Sequence, residues 1–214
     1  MKNRKTNFIM LMLSSVLCFT ACNNAAAQSR VKIGNQEWMT NNLNVSTFKN
    51  GDTIPEAKSD EAWIKAGEEG RPAWCYYDND PENGNKYGRL YNWYAVTDLR
   101  GLAPSGWHIP SDAEWTTLVD YFGAEGGTGR KMKSQAGWEY EGNGSNASGF
   151  SGLPGGYRAD YGTFGYIGYF GGWWSSTEYW TNAAWLRNLT FDNGGVDRAS
   201  FFKTYGWSVR CLRD

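Results

Sequence analysis

Residues 185–202 read WLRNLTFDNGGVDRASFF, and their period decides the fold class. Trp185, Arg187, Leu189 and Phe191 alternate with Leu186, Asn188 and Thr190, the two-residue repeat of a strand whose faces meet different surroundings. Asp192-Asn193-Gly194-Gly195 then supplies turn chemistry before residues 196–202 resume the β-rich pattern. The stretch predicts an antiparallel hairpin. A further strand is expected over 207–212, with Trp207, Val209 and Cys211 on one side and Ser208 and Arg210 on the other. Residues 31–39, at the front, are its expected partner.

Towards the middle of the chain the period becomes helical. Ser111 is placed to cap a helix over 111–122, and Glu114 three positions later completes a capping box. Trp115, Leu118, Val119 and Phe122 share one face of that helix, and Gly123 stops it. A second helix is predicted over 90–99, where Leu90, Trp93, Tyr94 and Thr97 share a side. A short third segment over 60–66 has Ser59 as its cap. Between 142 and 174, seven aromatic residues from 150 to 170 are interspersed with glycines, a pattern of ring-braced loops. The order predicts an α+β domain with two main helices, antiparallel strands and a long loop-rich second half.

The first residues carry an address. MKNRKTNFIMLMLSSVLCFTAC, residues 1–22, joins a basic start to an apolar stretch and a small residue before Cys22. This predicts a lipoprotein signal over 1–21, too short and wrongly flanked for a transmembrane anchor. A lipidated Cys22 then opens a short polar tether over 22–30, and a single domain fills 31–214. Asn23 and Asn24, rather than aspartate, follow Cys22, which points to the outer membrane of a bacterial cell envelope. The formal charge is −1, and losing Lys2, Arg4 and Lys5 with the leader takes it to −4. Without a basic run, nucleic acid is not an expected partner. Cys18 leaves with the leader and Cys22 takes lipid. In an oxidising envelope, the remaining Cys75 and Cys211 are expected to form a disulfide.

Several blocks, in order along nearly the whole domain, resemble the Fibrobacter succinogenes major paralogous domain family. They are Ile33-Gly34-Asn35-Gln36-Glu37-Trp38-Met39 with Asn42-Leu43-Asn44 just after it, Gly88-Arg89-Leu90-Tyr91-Asn92-Trp93 and Gly106-Trp107-His108-Ile109-Pro110-Ser111-Asp112-Ala113-Glu114-Trp115. Gly155-Gly156-Tyr157-Arg158, Trp173-Trp174-Ser175-Ser176-Thr177-Glu178 and Tyr205-Gly206-Trp207-Ser208-Val209-Arg210-Cys211 complete the set. The resemblance implies a lipoprotein of the kind common in Bacteroidota, with a C-type-lectin-like arrangement related to the formylglycine-generating enzymes. It does not imply a shared activity. The reactive cysteines of the enzyme branch and the calcium-binding sugar motif of the lectins have no clear counterpart here.

No catalytic group is expected. His108, the single histidine, reads as a structural hydrogen-bonding residue before the capped helix. Arg158 and Arg210, set among aromatics, are expected to be buried partners of Glu114 or Glu178. The candidate ligand-binding surface combines Trp173, Trp174, Glu178, Tyr179 and Trp180 with Arg187, Asn188, Asp192, Asn193 and Asp197. Flat rings stack on sugars while carboxylates and amides read hydroxyls, so the expected ligand is a glycan. The alternative is a structural or protein-interaction module of an envelope assembly. Glu178, Asp192 and Asp197 are the candidate calcium ligands.

Overall fold

The computed structural model describes residues 29–123 and 127–214. The expected leader and lipidated Cys22, with most of the tether, lie outside the described residues. The chain opens with a hairpin of β1 (Arg30–Ile33) and β2 (Gln36–Met39), followed by α1 (Asp60–Glu68). Next come β3 (Trp74–Cys75), a 3-10 turn, α2 (Pro81–Tyr87), β4 (Leu90–Tyr91) and α3 (Trp93–Val96). After β5 (Trp107–His108) the chain forms α4 (Asp112–Tyr121) and α5 (Thr128–Met132). The second half is strand-rich: β6 (Gly155–Arg158), β7 (Phe164–Ile167), β8 (Phe170–Trp180), β9 (Ala183–Thr190), β10 (Asp197–Phe202) and β11 (Leu212–Arg213).

These strands form small antiparallel sheets. One has the order β1-β2-β11-β5, so the end of the chain is held between the front hairpin and β5 through Leu212↔Trp38 and Leu212↔His108. Another has the order β10-β9-β8 and contains the predicted hairpin, with Asp197 opposite Asn188 and Phe202 opposite Ala183. The pairs β3-β4 and β6-β7 stand apart. Among the described residues no helix is long and apolar enough to cross a membrane.

The β8-β9-β10 sheet divides two apolar clusters. Trp174 and Leu186 pack on one side with Met39, Tyr91 and Trp207. Trp173 and Leu189 pack on the other with Trp38, Trp115, Leu118 and Phe150. Gly172 makes the first side dense, because a Cβ there would sit 2.5 Å from the Trp207 ring. A third cluster, around Trp63, Cys75 and Tyr77, lies under α1.

The structure corrects the expected two-helix, C-type-lectin-like arrangement. The described residues hold five separate helices and several small sheets. The predicted helix over 90–99 divides because Asn92 intervenes. Its Oδ1 accepts from both the Ala73 and Ala95 amides, capping α3 while tying the preceding Leu90–Tyr91 strand to β3. The loop-rich region over 142–174 contains the β6-β7 hairpin and the start of the longest strand.

The expected Cys75–Cys211 disulfide is also corrected. Both thiols are free and buried, in different apolar clusters. Burial pushes each thiol up to about 12, against weaker pulls from Arg158 on Cys75 and Arg210 on Cys211. Neither arginine pairs with Glu114 or Glu178. Arg158 reaches Asp60 at 3.0 Å. Arg210 is fully buried without a carboxylate; Asn42 Oδ1 accepts from its Nε and Nη2, and the Met39 and Phe150 carbonyls accept from its Nη1. Burial brings Arg210 down to about 9.

Candidate functional site

The register of β8 builds the site. Its pairing with β9 is regular from Phe170↔Thr190 to Trp174↔Leu186, then shifts between Trp174 and Glu178 and again between Glu178 and Trp180. Such irregularities bend a strand and re-aim its side chains. Tyr179 and Trp180, which a regular strand would send to opposite faces, are instead stacked with ring centres 5.5 Å apart and planes 16° apart. Tyr179 also packs on Trp185 of β9 at 4.4 Å. The Arg198 guanidinium of β10 lies 3.3 Å from the Trp185 ring centre. A row of four flat groups therefore crosses all three strands.

One end of this row is locked by charge. Arg198 and Arg187 are directly opposite in the β9-β10 ladder and both donate to the Asp112 carboxylate, with Arg198 Nη2 at 2.8 Å. Asp112 opens α4, where the helix dipole favours a carboxylate. Burial raises the Asp112 pKa, but hydrogen bonds from Arg198 and Arg187 outweigh it and leave the group below its usual range. Desolvation lowers Arg187, while the bond to Asp112 raises the more exposed Arg198.

The other end is open. Trp180 is 67% exposed, Tyr179 41% and Phe202 50%. Trp180 and Phe202 both pair with Ala183, from its two sides. The second register shift of β8 falls just before Trp180, at this open end. Glu178 lies beside this end, paired with the Lys203 ammonium, which also donates to the Thr181 carbonyl.

The predicted residues separate. Tyr179 and Trp180 belong to the open row and Glu178 to its border, while Arg187 supports the row from beneath. Trp173 and Trp174 do not belong: they are 1% and 0% exposed. Their indole N–H groups donate to Asn42 Oδ1 and the Tyr91 carbonyl, so neither ring can meet a ligand. Asn188 is buried and, with Asn193, donates to the Asp197 carboxylate.

Glu178, Asp192 and Asp197 are not brought together as calcium ligands, and the described residues hold no cluster of three or more metal-ligating side chains. In the turn after β9 an ammonium occupies the acceptors. Lys133 Nζ donates to the carbonyls of Thr190, Phe191 and Asn193 at 2.9, 3.2 and 3.1 Å.

Trp185, Arg198, Phe202 and Asp112 were missing from the sequence-derived set. Hairpin pairing could have located three of them, since Arg198, Ser200 and Phe202 fall opposite Arg187, Trp185 and Ala183. Asp112 carried no comparable signal. On the far side of α4, His108 bridges Asp214 and Glu114, with both bonds 2.9 Å. Glu114 simultaneously closes the predicted capping box with Ser111. Desolvation lowers the His108 pKa, but these two carboxylates together raise it.

The chain belongs to the Fibrobacter succinogenes major domain family, whose profile spans residues 31–213. No curated protein and no solved structure matches it.

Proposed function

We propose that this member of the Fibrobacter succinogenes major domain family is a binding domain of the bacterial cell envelope. It is a lipoprotein of the kind carried by Bacteroidota, anchored at the outer membrane through Cys22. It recognises glycan with the Trp180–Tyr179–Trp185 row and catalyses no reaction. The observation that carries the reading is the stack of exposed Trp180 and Tyr179, continued by Trp185. A sugar ring offers an apolar C–H face to an aromatic plane and hydroxyls around its rim. Exposed Thr181 and Asn182, with Glu178 at the border, supply the polar groups.

Affinity electrophoresis through immobilised polysaccharides, preceded by a glycan array, tests the site. Trp180→Ala is expected to weaken retention about tenfold, roughly 1.4 kcal/mol, with an unchanged thermal midpoint. Equal retention of the variant and wild type would remove Trp180 from the site.

A second reading, a protein-interaction module of an envelope assembly, is favoured by one specific observation. β10 is an edge strand with exposed Phe202 beside a Trp, Tyr and Arg cluster, the composition of interface hot spots. An envelope protein captured reproducibly through Trp180, together with no glycan retention, would select it.

A further inference from the structure

The far end of the β8-β9 ladder carries a second aromatic cluster. Tyr169 and Phe191 stand just outside its first pair, Phe170↔Thr190, and the Phe191 amide donates to the Tyr169 carbonyl. Tyr140, from the loop between α5 and β6, lies 5.8 Å from the Tyr169 ring and 5.7 Å from that of Phe191; those two are 5.5 Å apart. Tyr140 is nonetheless 75% exposed. Its φ of +45° and the +62° of Glu141 lie in the left-handed region, which persists for residues other than glycine where the surroundings hold it. The surroundings here are tight, since a Cβ on Gly142 would sit 2.7 Å from the Phe191 carbonyl oxygen.

A cavity of about 70 Å³ opens beside Phe191, and Arg130, Lys133, Glu141 and Asp192 are among the residues that line it. The Lys133 ammonium is spent on three carbonyls. Arg130, Glu141 and Asp192 join none of the ion pairs among the described residues, so one opening keeps both donors and acceptors unused. Burial lowers the Lys133 pKa and Arg130 adds to this, while Asp192 raises it; these charges therefore act on one another around the cavity. Two cations against two carboxylates favour neither an acidic nor a basic ligand. The volume admits a substituent rather than a whole small molecule, whose pockets reach roughly 300 Å³ or more. A sugar ring fits both parts, with a C–H face for Tyr140 and a hydroxyl-bearing edge for the cavity.

We infer that Tyr140 and this cavity form a second saccharide site, which takes one unit of an uncharged glycan. Asp192, which the Trp180 row leaves out, accepts from the sugar hydroxyls together with Glu141, and Arg130 donates to them. β8 is eleven residues long, so the two sites stand roughly 30 Å apart at opposite ends of one ladder. The ligand class rests on the glycan reading of the Trp180 row, but the second site shares no residue with it.

The test uses the purified protein in affinity electrophoresis against β-glucan, galactomannan and polygalacturonate. The variants are Tyr140→Asn, Asp192→Asn, Trp180→Ala and the pair Trp180→Ala with Tyr140→Asn. Asparagine suits position 140 because it tolerates the left-handed region, and at position 192 it keeps the side-chain shape while removing the charge. A neutral polymer is expected to retain the protein and polygalacturonate is not. Tyr140→Asn and Asp192→Asn should each weaken that retention about two- to tenfold. Trp180→Ala should keep a residual retention that the added Tyr140→Asn removes.

Retention undiminished by Tyr140→Asn, in the wild type or in Trp180→Ala, would overturn the second site, as would a preference for polygalacturonate. Should Tyr140→Asn lower the thermal midpoint, Asp192→Asn decides in its place, and undiminished retention of that variant has the same consequence. If Trp180→Ala still reduced retention in those cases, the glycan reading of its row would stand. Losses in Tyr140→Asn and Asp192→Asn without one in Trp180→Ala would keep the second site and remove the first. Absence of retention by every polymer would overturn both.

Discussion

At one end of β8, Trp173 and Trp174 disappear into opposite clusters; at the other, Tyr179 and Trp180 stack together in solvent. The two ends are alike in composition and belong to one strand, so ring chemistry cannot explain the difference. Neighbours do. The Trp173 face is covered by α4, whose Trp115 and Leu118 pack there and whose Asp112 receives Arg187 and Arg198. The Trp174 face is covered by Trp207 lying against Gly172. The strand then slips register and carries its last rings beyond that cover. An aromatic pair therefore becomes core or candidate site according to what crosses over it.

The comparison is broken most forcefully at its buried end. Trp174→Ala should cost about 3–5 kcal/mol, read by chemical denaturation, because it leaves a large void between tightly held elements. Trp180→Ala should stay within about 0.5 kcal/mol of wild type. Similar losses for the two would dissolve the distinction.

Asn42→Ala should also destabilise strongly, by about 3 kcal/mol, because it strips the acceptor from the fully buried Arg210 and leaves its charge poorly compensated. Asn42 also accepts from Trp173, so this substitution tests the polar support under the buried end.

Asp112→Asn addresses the junction between the two ends. It should cost about 1–3 kcal/mol in denaturation at neutral pH. The native carboxyl sits below its ordinary pKa. Its stabilising contribution is present above the unfolded value, near 4, and is lost as pH falls through the lower folded value. The variant should show a flatter acid limb, while an identical limb would remove Asp112 as the charged lock.

The smallest effects concern groups outside the comparison. The His108 pKa is raised in the folded protein, so its contribution is present below about 6.5 and is lost as pH rises through the folded value. A slight fall in thermal midpoint across that alkaline side should vanish in His108→Gln. Reductant should leave the midpoint unchanged. Peptide mapping after unfolding without reductant should show Cys75 and Cys211 alkylated; a linked peptide pair would restore the disulfide.

Legibility followed the range of the physical signals. The capping box at Ser111 and Glu114 and the hairpin centred on 192–195 are local devices, so their residues announce them. The helix expected over 90–99 failed because Asn92 serves two elements at once, one of them distant in sequence. The candidate site was half legible. Its aromatic richness was visible, and Tyr179 and Trp180 were among the chosen residues. Trp173 and Trp174 were misleading because successive strand residues face opposite ways and both faces are covered here.

By itself, the sequence determined the family, the α4 cap and the hairpin, because these rest on short-range pattern. Only the tertiary structure decided that Cys75 and Cys211 lie apart, that Arg210 is held by an amide and carbonyls, and which tryptophans meet solvent. Those outcomes depend on which distant elements come to lie across a given face, and burial, pairing and exposure are properties of that meeting.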